Sequence, residues 1–474
     1  MWTDDLIPKL RRRLWWLKEA QPELERCKFL YKRGRNGRQP GKERPNVIFL
    51  SVDSMACQHL GCYGYGRRTS PNIDVLSQSG ALFENVIAQS NWTKPALASI
   101  LTSLYPSVHK TDAQGESGDR IDVEVRNRAH VLDSRFRTMA EEFKDGGYAT
   151  AGISNGGYAH SFFGFGRGFD LYDNSGGGMK SCMYRLLQWV LVRPATPFMA
   201  WIHAWDAHFP YMDKPPYNRK FVRRRASIVL DASIRHDINS GMRKVTPEEL
   251  DFLKGLYDGA INYVDQLIGT FISELKQLKL FDNTIFVITA DHGEAFMEHG
   301  FIEHTGCLHG EVLRVPLIMC GPGLDKGKRI ASQVRSIDIM PTLLELCAIT
   351  PRKEIHGVSL LPWLKGKAND HLLAASETER GGGQTALSDG RFKLIQKKAE
   401  NRFQLYDINA DRDEKNDLAG TCPDRVSVMK SKLNLWMQEV NLCADRYWSD
   451  TSSGEALEMR PEVMKRLRAL GYVE

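Results

Sequence analysis

The chain reads as an α/β protein: a mixed, mostly parallel central sheet flanked by helices, with a smaller C-terminal antiparallel sheet plus helix. Three observations predict this. Apolar, β-rich runs of strand length recur at residues 46–52, 148–154, 197–203, 284–289 and 315–320, which marks strands buried on both faces. Helical spacing intervenes, most clearly over 248–280, where Leu253, Leu256, Ile261, Val264, Leu267, Ile268, Phe271 and Leu275 share a stripe. From about Leu372 the texture shifts to short strands at 384–387, 391–396 and 402–407, then a helix near 424–440.

A chain of 474 residues, 42% hydrophobic, can bury one large core and a smaller one. The expected division is a basic N-terminal helix and linker over 1–44, a large domain over 45–370, and a small α+β subdomain and tail over 371–474. Nine cysteines, an odd number, lack metal-ligand or disulfide-framework spacing, so a reducing, cytoplasmic setting with free thiols is expected. The start has no apolar core of signal-peptide length. The most apolar window, 186–205, is broken by Arg193, Pro194, Pro197 and His203; it reads as a helix end running into a buried strand rather than a membrane span.

The net charge of +6 is concentrated at the start, where residues 1–44 hold 13 Lys/Arg against 6 Asp/Glu. Leu6, Leu10, Leu14 and Leu17 fall on one helical face with Arg11, Arg12 and Arg13 between them. Two readings stand: a helix packed on the body ahead of a solvated linker, or a basic interfacial helix meeting anionic lipid at the inner membrane face. No nucleic-acid module accompanies the charge, so no nucleic acid is expected. Nothing in the sequence speaks to oligomeric state.

Polar groups gather where strands end. Residues 46–52 run straight into Asp53, and 284–289 run through Ala290 into Asp291 and His292. A carboxylate directly after a buried strand is costly unless it meets a cation or ligand, and in open α/β sheets ligands collect at the carboxyl ends of strands. Residues 197–203 lead into Asp206 and His208. Thr93 stands two residues before Pro95 and an apolar helical pattern through Leu97, Ile100, Leu101 and Leu104. This places it at or just before a helix N-terminus, where backbone N–H groups favour an anion. Alone it would be an N-cap; beside Asp53, Asp291 and His292 it becomes a candidate nucleophile. Residues 61–86 read as turn-rich and then helical from Pro71, 136–143 as an amphipathic helix, 211–247 as an irregular basic excursion or lid, and Asp338 as opening a helix.

Taken together, RPNVIFLSVDS, HLGCYGYGRRTSPNID, TKPALASILTSLYP, residues 204–210, YDGAINYVD, ADHGE…EHG…H followed by RVPLI, and RSIDIMPTLLEL make the chain resemble the sulfatase branch of the alkaline-phosphatase superfamily over roughly residues 44–440. The resemblance implies an alkaline-phosphatase-like fold and an ester hydrolase. Its departures carry information. Sulfate-cleaving members have Cys or Ser at the Thr93 position and oxidise it to formylglycine, a conversion closed to threonine. The family's arginine two residues beyond the proline is Leu97, its second acidic ligand beside the first aspartate is Ser54, and its Lys and His after the following strand are replaced around 155–157. Members acting on phosphonates and phosphodiesters tolerate Thr and share Asp-His at 291–292.

On that basis the expected metal site is Asp53, Thr93, Asp291 and His292, holding one divalent ion. The imidazole and low ligand count favour Zn²⁺ or Mn²⁺ over Ca²⁺. Thr93 is the expected nucleophile, giving a covalent phospho-threonine, with His208 and His304 as catalytic contacts to the ester oxygens or leaving group. Lys94 and Asn155 are expected to bind substrate. Asp206, His299, His309 and Glu311 are the option for a second metal. The leading expectation is hydrolysis of phosphate mono- or diesters or phosphonates, on a small-molecule, lipid- or glycan-derived substrate. The alternatives are a sulfuric ester hydrolase, a phosphoethanolamine- or glycerophosphate-type transferase, and a degenerate binding protein.

Overall fold

The computed structural model describes residues 44–449, other than 113–127, 130, 192–196, 212–213, 224, 227, 229 and 305, together with 457–458. The basic helix expected within residues 1–44 lies outside the described residues except for Arg44.

Across the large sheet the strand order is Lys328–Arg335, Ala81–Ile87, Arg314–Cys320, Thr284–Ala290, Asn46–Val52, Phe198–Ala204, Ala149–Ser154 and Leu171–Asp173. The three central strands carry no exposed residue along their length, which explains their unbroken apolar runs. All neighbours pair in parallel except Arg314–Cys320, which is antiparallel to both of its neighbours. In register, Val52 stands opposite both Ala290 and Ala204. The three middle strands therefore end level, and the residues that follow them meet at one edge.

Helix Pro247–Gln277 braces that edge. It starts in a capping box, Thr246 Oγ1 accepting from the Glu249 N–H at 3.2 Å and the Glu249 carboxylate accepting from the Thr246 N–H at 3.0 Å. Two buried acids on it tie down the segment between the first two strands. Asp258 accepts from Tyr65 and Arg67 and pairs with His59, while Asp265 accepts the backbone N–H groups of Asn72 and Ile73 at the start of helix Pro71–Gln78. Each buried charge thus has partners, which offsets the cost of burying it.

Several expectations need correction. The stretch read as helical after Pro71 is helix only to Gln78; Ala81–Ile87 is a strand. Gly80 allows the change, since a Cβ there would lie 2.2 Å from the Met319 carbonyl oxygen. Lys328–Arg335 is an unforeseen edge strand, hidden by its polar sequence KRIASQVR, whose last four residues are nonetheless buried. The 211–247 excursion contains helix Ala232–Asn239, capped by Asp231. The helix expected over 136–143 is Met139–Asp145, because the capping box of Thr138 and Glu141 sets its start.

The second sheet is four antiparallel strands in sequence order, Ala374–Thr378, Gln384–Ser388, Phe392–Lys397 and Arg402–Asp407. Helix Pro423–Trp448 buries Met429, Leu433, Trp436 and Val440. The first strand, unseen in sequence, is the joint: Ser376 Oγ donates to Ala88 O at 2.6 Å, Glu377 N to Gln89 O at 2.9 Å, and Ser90 Oγ to Glu377 O at 2.8 Å. The small sheet is thereby hydrogen-bonded to the segment that leads into Thr93.

Candidate active site

Asp53 and Asp291 are the next residues of two neighbouring parallel strands that end in step. Backbone spacing alone brings them about 5 Å apart. Thr93 is the first residue of helix Thr93–Thr102, all ten residues of which are buried. Its Oγ1 lies 3.5 Å from Asp53 Oδ2 and 3.4 Å from His292 Nε2. His292 Nε2 lies 3.4 Å from Asp53 Oδ1 and 3.5 Å from Asp291 Oδ2. The four residues expected to hold a metal thus converge on one point.

Ser54, where the resemblance led one to look for an acid, completes the frame. It takes a left-handed backbone, φ 59°, unusual for a residue with a side chain. That turn lets its N–H donate to Asp291 Oδ1 at 3.2 Å and its hydroxyl to Asp53 Oδ1 at 3.1 Å. Tyr257 on the bracing helix donates to the Ser54 carbonyl and accepts from Ala56 N–H at 2.8 Å.

The donor set fits a divalent cation. The His292 Nδ1–H donates to the Gly293 carbonyl at 3.0 Å, which leaves the Nε2 lone pair facing two carboxylates. Asp291 Oδ2 is buried and takes no hydrogen bond. Burial and the neighbouring Asp53 push the Asp291 carboxyl well up. For Asp53, burial is outweighed by His208, His203 and His292, which hold it well down. Two adjacent buried carboxyls pushed in opposite directions mark a place short of positive charge. Asp53, Asp291 and His292 would hold the ion with Thr93 beside it.

Sequence reasoning missed His203. Its Nε2 lies 3.6 Å from Asp53 Oδ2, and Asp53, His203 and Asp291 can bring ligand atoms within 4.8 Å of one another. Its ring is set by Ser51 Oγ at 2.9 Å from Nδ1, and Ser51 in turn accepts from Trp201 Nε1 at 2.9 Å. A signal was present, since a histidine ending an apolar strand opposite Ser51 is out of keeping with its neighbours.

His304 and His208 lie on the far side of His292. The His304 ring is 4.1 Å from that of His292 and 5.2 Å from that of His208. His304 Nδ1 meets Glu294 Oε2 at 2.9 Å, and Glu294 also accepts from Tyr211. Burial raises the Glu294 carboxyl and lowers the His304 imidazole, both in the direction that favours Glu294 as the donor to Nδ1 and a proton on His304 Nε2. Glu294 is a second residue without an assigned role in the sequence. His208 Nδ1–H donates to its neighbour's carbonyl, Phe209 O.

A small cavity of about 10 Å³ opens among Asp53, Thr93, Asn155, Gly156, Gly157, Tyr158, His203 and Trp205. Asn155 therefore lines the space in front of Thr93. Lys94 does not. It is buried over the Trp92 and Phe163 rings at 5.4 and 5.6 Å, and burial lowers its ammonium to about 8.

The second-metal group divides. His299, His309 and Glu311 come together, but Asp206 stands apart, accepting from Met179 N–H at 2.6 Å and pairing with Lys214. His299 faces two acceptors, Glu311 Oε1 at 2.7 Å and the Glu414 carbonyl at 2.8 Å. Burial lowers this imidazole, but the bond to Glu311 prevails and the net shift is upward.

The family model described as Sulfatase matches residues 45–349, and that described as N-sulphoglucosamine sulphohydrolase, C-terminal, matches residues 297–440. Arylsulfatase K of Xenopus laevis is 23% identical over 83% of this chain and 82% of its own. Among solved structures, a 2-O GAG sulfatase superposes with a TM-score of 0.68 at 18% identity, covering 87% of this chain and 95% of the other. The phosphonate monoester hydrolase of Agrobacterium radiobacter superposes with a TM-score of 0.66 at 20% identity, covering 88% and 100%.

Proposed function

The chain belongs to the sulfatase family, and from that premise we propose that it hydrolyses esters of a tetrahedral oxyanion by direct attack of the unmodified Thr93 hydroxyl. The observation that carries this reading is the placement of Thr93 Oγ1 3.5 Å from Asp53 and 3.4 Å from His292. Sulfuric esters are the first substrate class, because the curated relatives are named as sulfatases. Threonine is a secondary alcohol and cannot be oxidised to an aldehyde, so the hydroxyl oxygen itself must form the new bond.

A divalent cation held by Asp53, Asp291 and His292, with His203 in reach, would lower the pKa of the hydroxyl and neutralise charge on the ester oxygens. Thr93 Oγ1 passes its proton to Asp53 Oδ2, 3.5 Å away, and forms a bond to sulfur as the bond to the ester oxygen breaks. His304 gives its Nε2 proton to that leaving oxygen while Glu294, 2.9 Å from Nδ1, gives its own proton to Nδ1. Asn155, in the cavity wall, binds the non-bridging oxygens. Water then attacks sulfur and gives a proton to His304 Nε2 as Nδ1 returns one to Glu294, while Asp53 returns its proton to the departing Thr93 oxygen, which restores the hydroxyl. His208, its ring 5.2 Å from that of His304, is a further contact to the ester oxygens.

A second reading, hydrolysis of phosphoric or phosphonic esters, is favoured by Thr93 itself, since a phospho-threonine hydrolyses without the aldehyde chemistry that sulfate-cleaving relatives use. Turnover of matched aryl sulfate, phosphomonoester, phosphodiester and phosphonate esters with Mn²⁺ or Zn²⁺ distinguishes the two. Loss of all turnover in Thr93→Ala is expected; retained turnover in that variant would overturn both.

A further inference from the structure

The inner cavity, about 10 Å³, has room for about one water-sized group, so most of a substrate must lie outside it. What stands there comes from the second sheet. After strand Ala374–Thr378 the chain turns through Glu379, Arg380 and three glycines, Gly381, Gly382 and Gly383, at φ 64°, 81° and 76°. Positive φ at three successive positions is a conformation few side chains tolerate, and here it projects Arg380 back over the start of the Thr93 helix. The Arg380 guanidinium stacks on the indole of Trp92 at 3.7 Å, one residue before the nucleophile.

This contact is built. Trp92 Nε1 donates to Asp112 Oδ1 at 2.6 Å, and the other oxygen of the same buried carboxylate accepts from Glu379 N–H at 3.0 Å. One acid thus fixes both the indole and the hairpin that bears the arginine. The opposite side of Trp92 meets Tyr158, ring centres 5.2 Å apart, and Tyr158 lines the inner cavity. Yet the guanidinium has no hydrogen bond or ion pair among the described residues, and its Nε is buried without a partner. An arginine with donors in a fixed fork is suited to a carboxylate or oxyanion, and a buried donor left unmatched is costly. Its charge bears on His304, His292, Lys94 and Asp112, while it takes no part in the wall of the inner cavity. It stands outside that cavity, stacked on the residue before the nucleophile, where the part of a substrate beyond the transferred group must lie.

We propose that Arg380 binds an anionic substituent of the leaving group, so that the preferred substrate carries a second negative group, a carboxylate or further oxyanion, beside the ester that is cleaved. This rests on the proposed cleavage at Thr93, and the test separates the two. Binding of phenyl sulfate, of its meta-carboxylate and of its meta-sulfonate is measured by calorimetry on the full chain carrying Thr93→Ala, with Mn²⁺ present, so no turnover is needed. The substituted esters are expected to bind about tenfold more tightly than the parent. Adding Arg380→Ala should collapse that ratio to near one, and Arg380→Lys should keep part of it. Preference for the carboxylate over the sulfonate, or the reverse, names the substituent. A ratio that survives Arg380→Ala, equal binding of all three esters, or no binding of any would overturn the proposal. Turnover by the chain with Thr93 intact is scored separately and bears only on the hydrolysis.

Discussion

Replacing Asp291 by asparagine should stabilise the protein when cations are stripped and remove its response when they are restored. The two carboxylates can bring oxygens within 4.8 Å, where unit charges repel by roughly 3.5 kcal/mol at an effective dielectric of about 20. Asparagine keeps the Oδ1 that accepts from Ser54 N–H at 3.2 Å and His292 N–H at 2.9 Å. Its amide then fills the position of Oδ2, which has no partner to lose. Part of the repulsion is already relieved by protonation, so a gain of about 1–3 kcal/mol is expected in chelator at pH 8. The sign with pH follows from linkage. Because burial and Asp53 raise the Asp291 carboxyl, the stripped folded protein binds a proton that the unfolded chain releases. Its stability therefore falls as pH rises from about 4 through the raised value, and Asp291→Asn removes that slope. With Mn²⁺ at about a hundred times its dissociation constant, the parent should gain about 2.7 kcal/mol and the variant little. Denaturant melts at pH 5 and 8, with chelator and with Mn²⁺, read all four quantities. A variant less stable than the parent in chelator, or one with an undiminished metal shift, would refute the reasoning.

Three other outcomes follow from single contacts. His304→Gln should slow turnover of esters with poor leaving groups by about 10²-fold or more while sparing those with very acidic phenols; equal losses on both would remove His304 as the acid. Gly293→Ala should destabilise by several kcal/mol, on the order of the larger single-site effects, because its Cβ would sit 2.2 Å from the Glu311 carbonyl oxygen; a melt within a degree of the parent would contradict that packing. Burial raises the Asp112 carboxyl to about 6, so its contribution to stability is present below about pH 4 and lost as pH rises through 6. Relative to Asp112→Asn, the parent should therefore lose up to roughly 2–3 kcal/mol between pH 4 and 7.5, and parallel stability curves would exclude the shift.

Much of this site could be read from residues alone, for a physical reason. Asp53 and Asp291 each follow an unbroken apolar strand, and parallel strands that end in register must bring such residues together. Thr93 was legible from Pro95 and the apolar spacing after it. Strand direction was not: the residues of Arg314–Cys320 are as apolar as those of a parallel strand, and only its pairing shows that it runs the other way. His203 sat near the end of a hydrophobic run, its meaning fixed by Ser51 on the neighbouring strand and Trp201 on its own. Arg380 had no local signal at all. It reaches Trp92 only because Ser376, Glu377 and Ser90 join the second sheet to the segment before Thr93, nearly the whole fold away in sequence.

The most direct measurement is acid quench of the metal-loaded protein during turnover, followed by mass mapping of the peptide that holds Thr93. A sulfuryl or phosphoryl group on Thr93, absent from the Thr93→Ala protein, is the predicted result. Turnover that proceeds with no such adduct, and persists in Thr93→Ala, would contradict a threonine nucleophile outright.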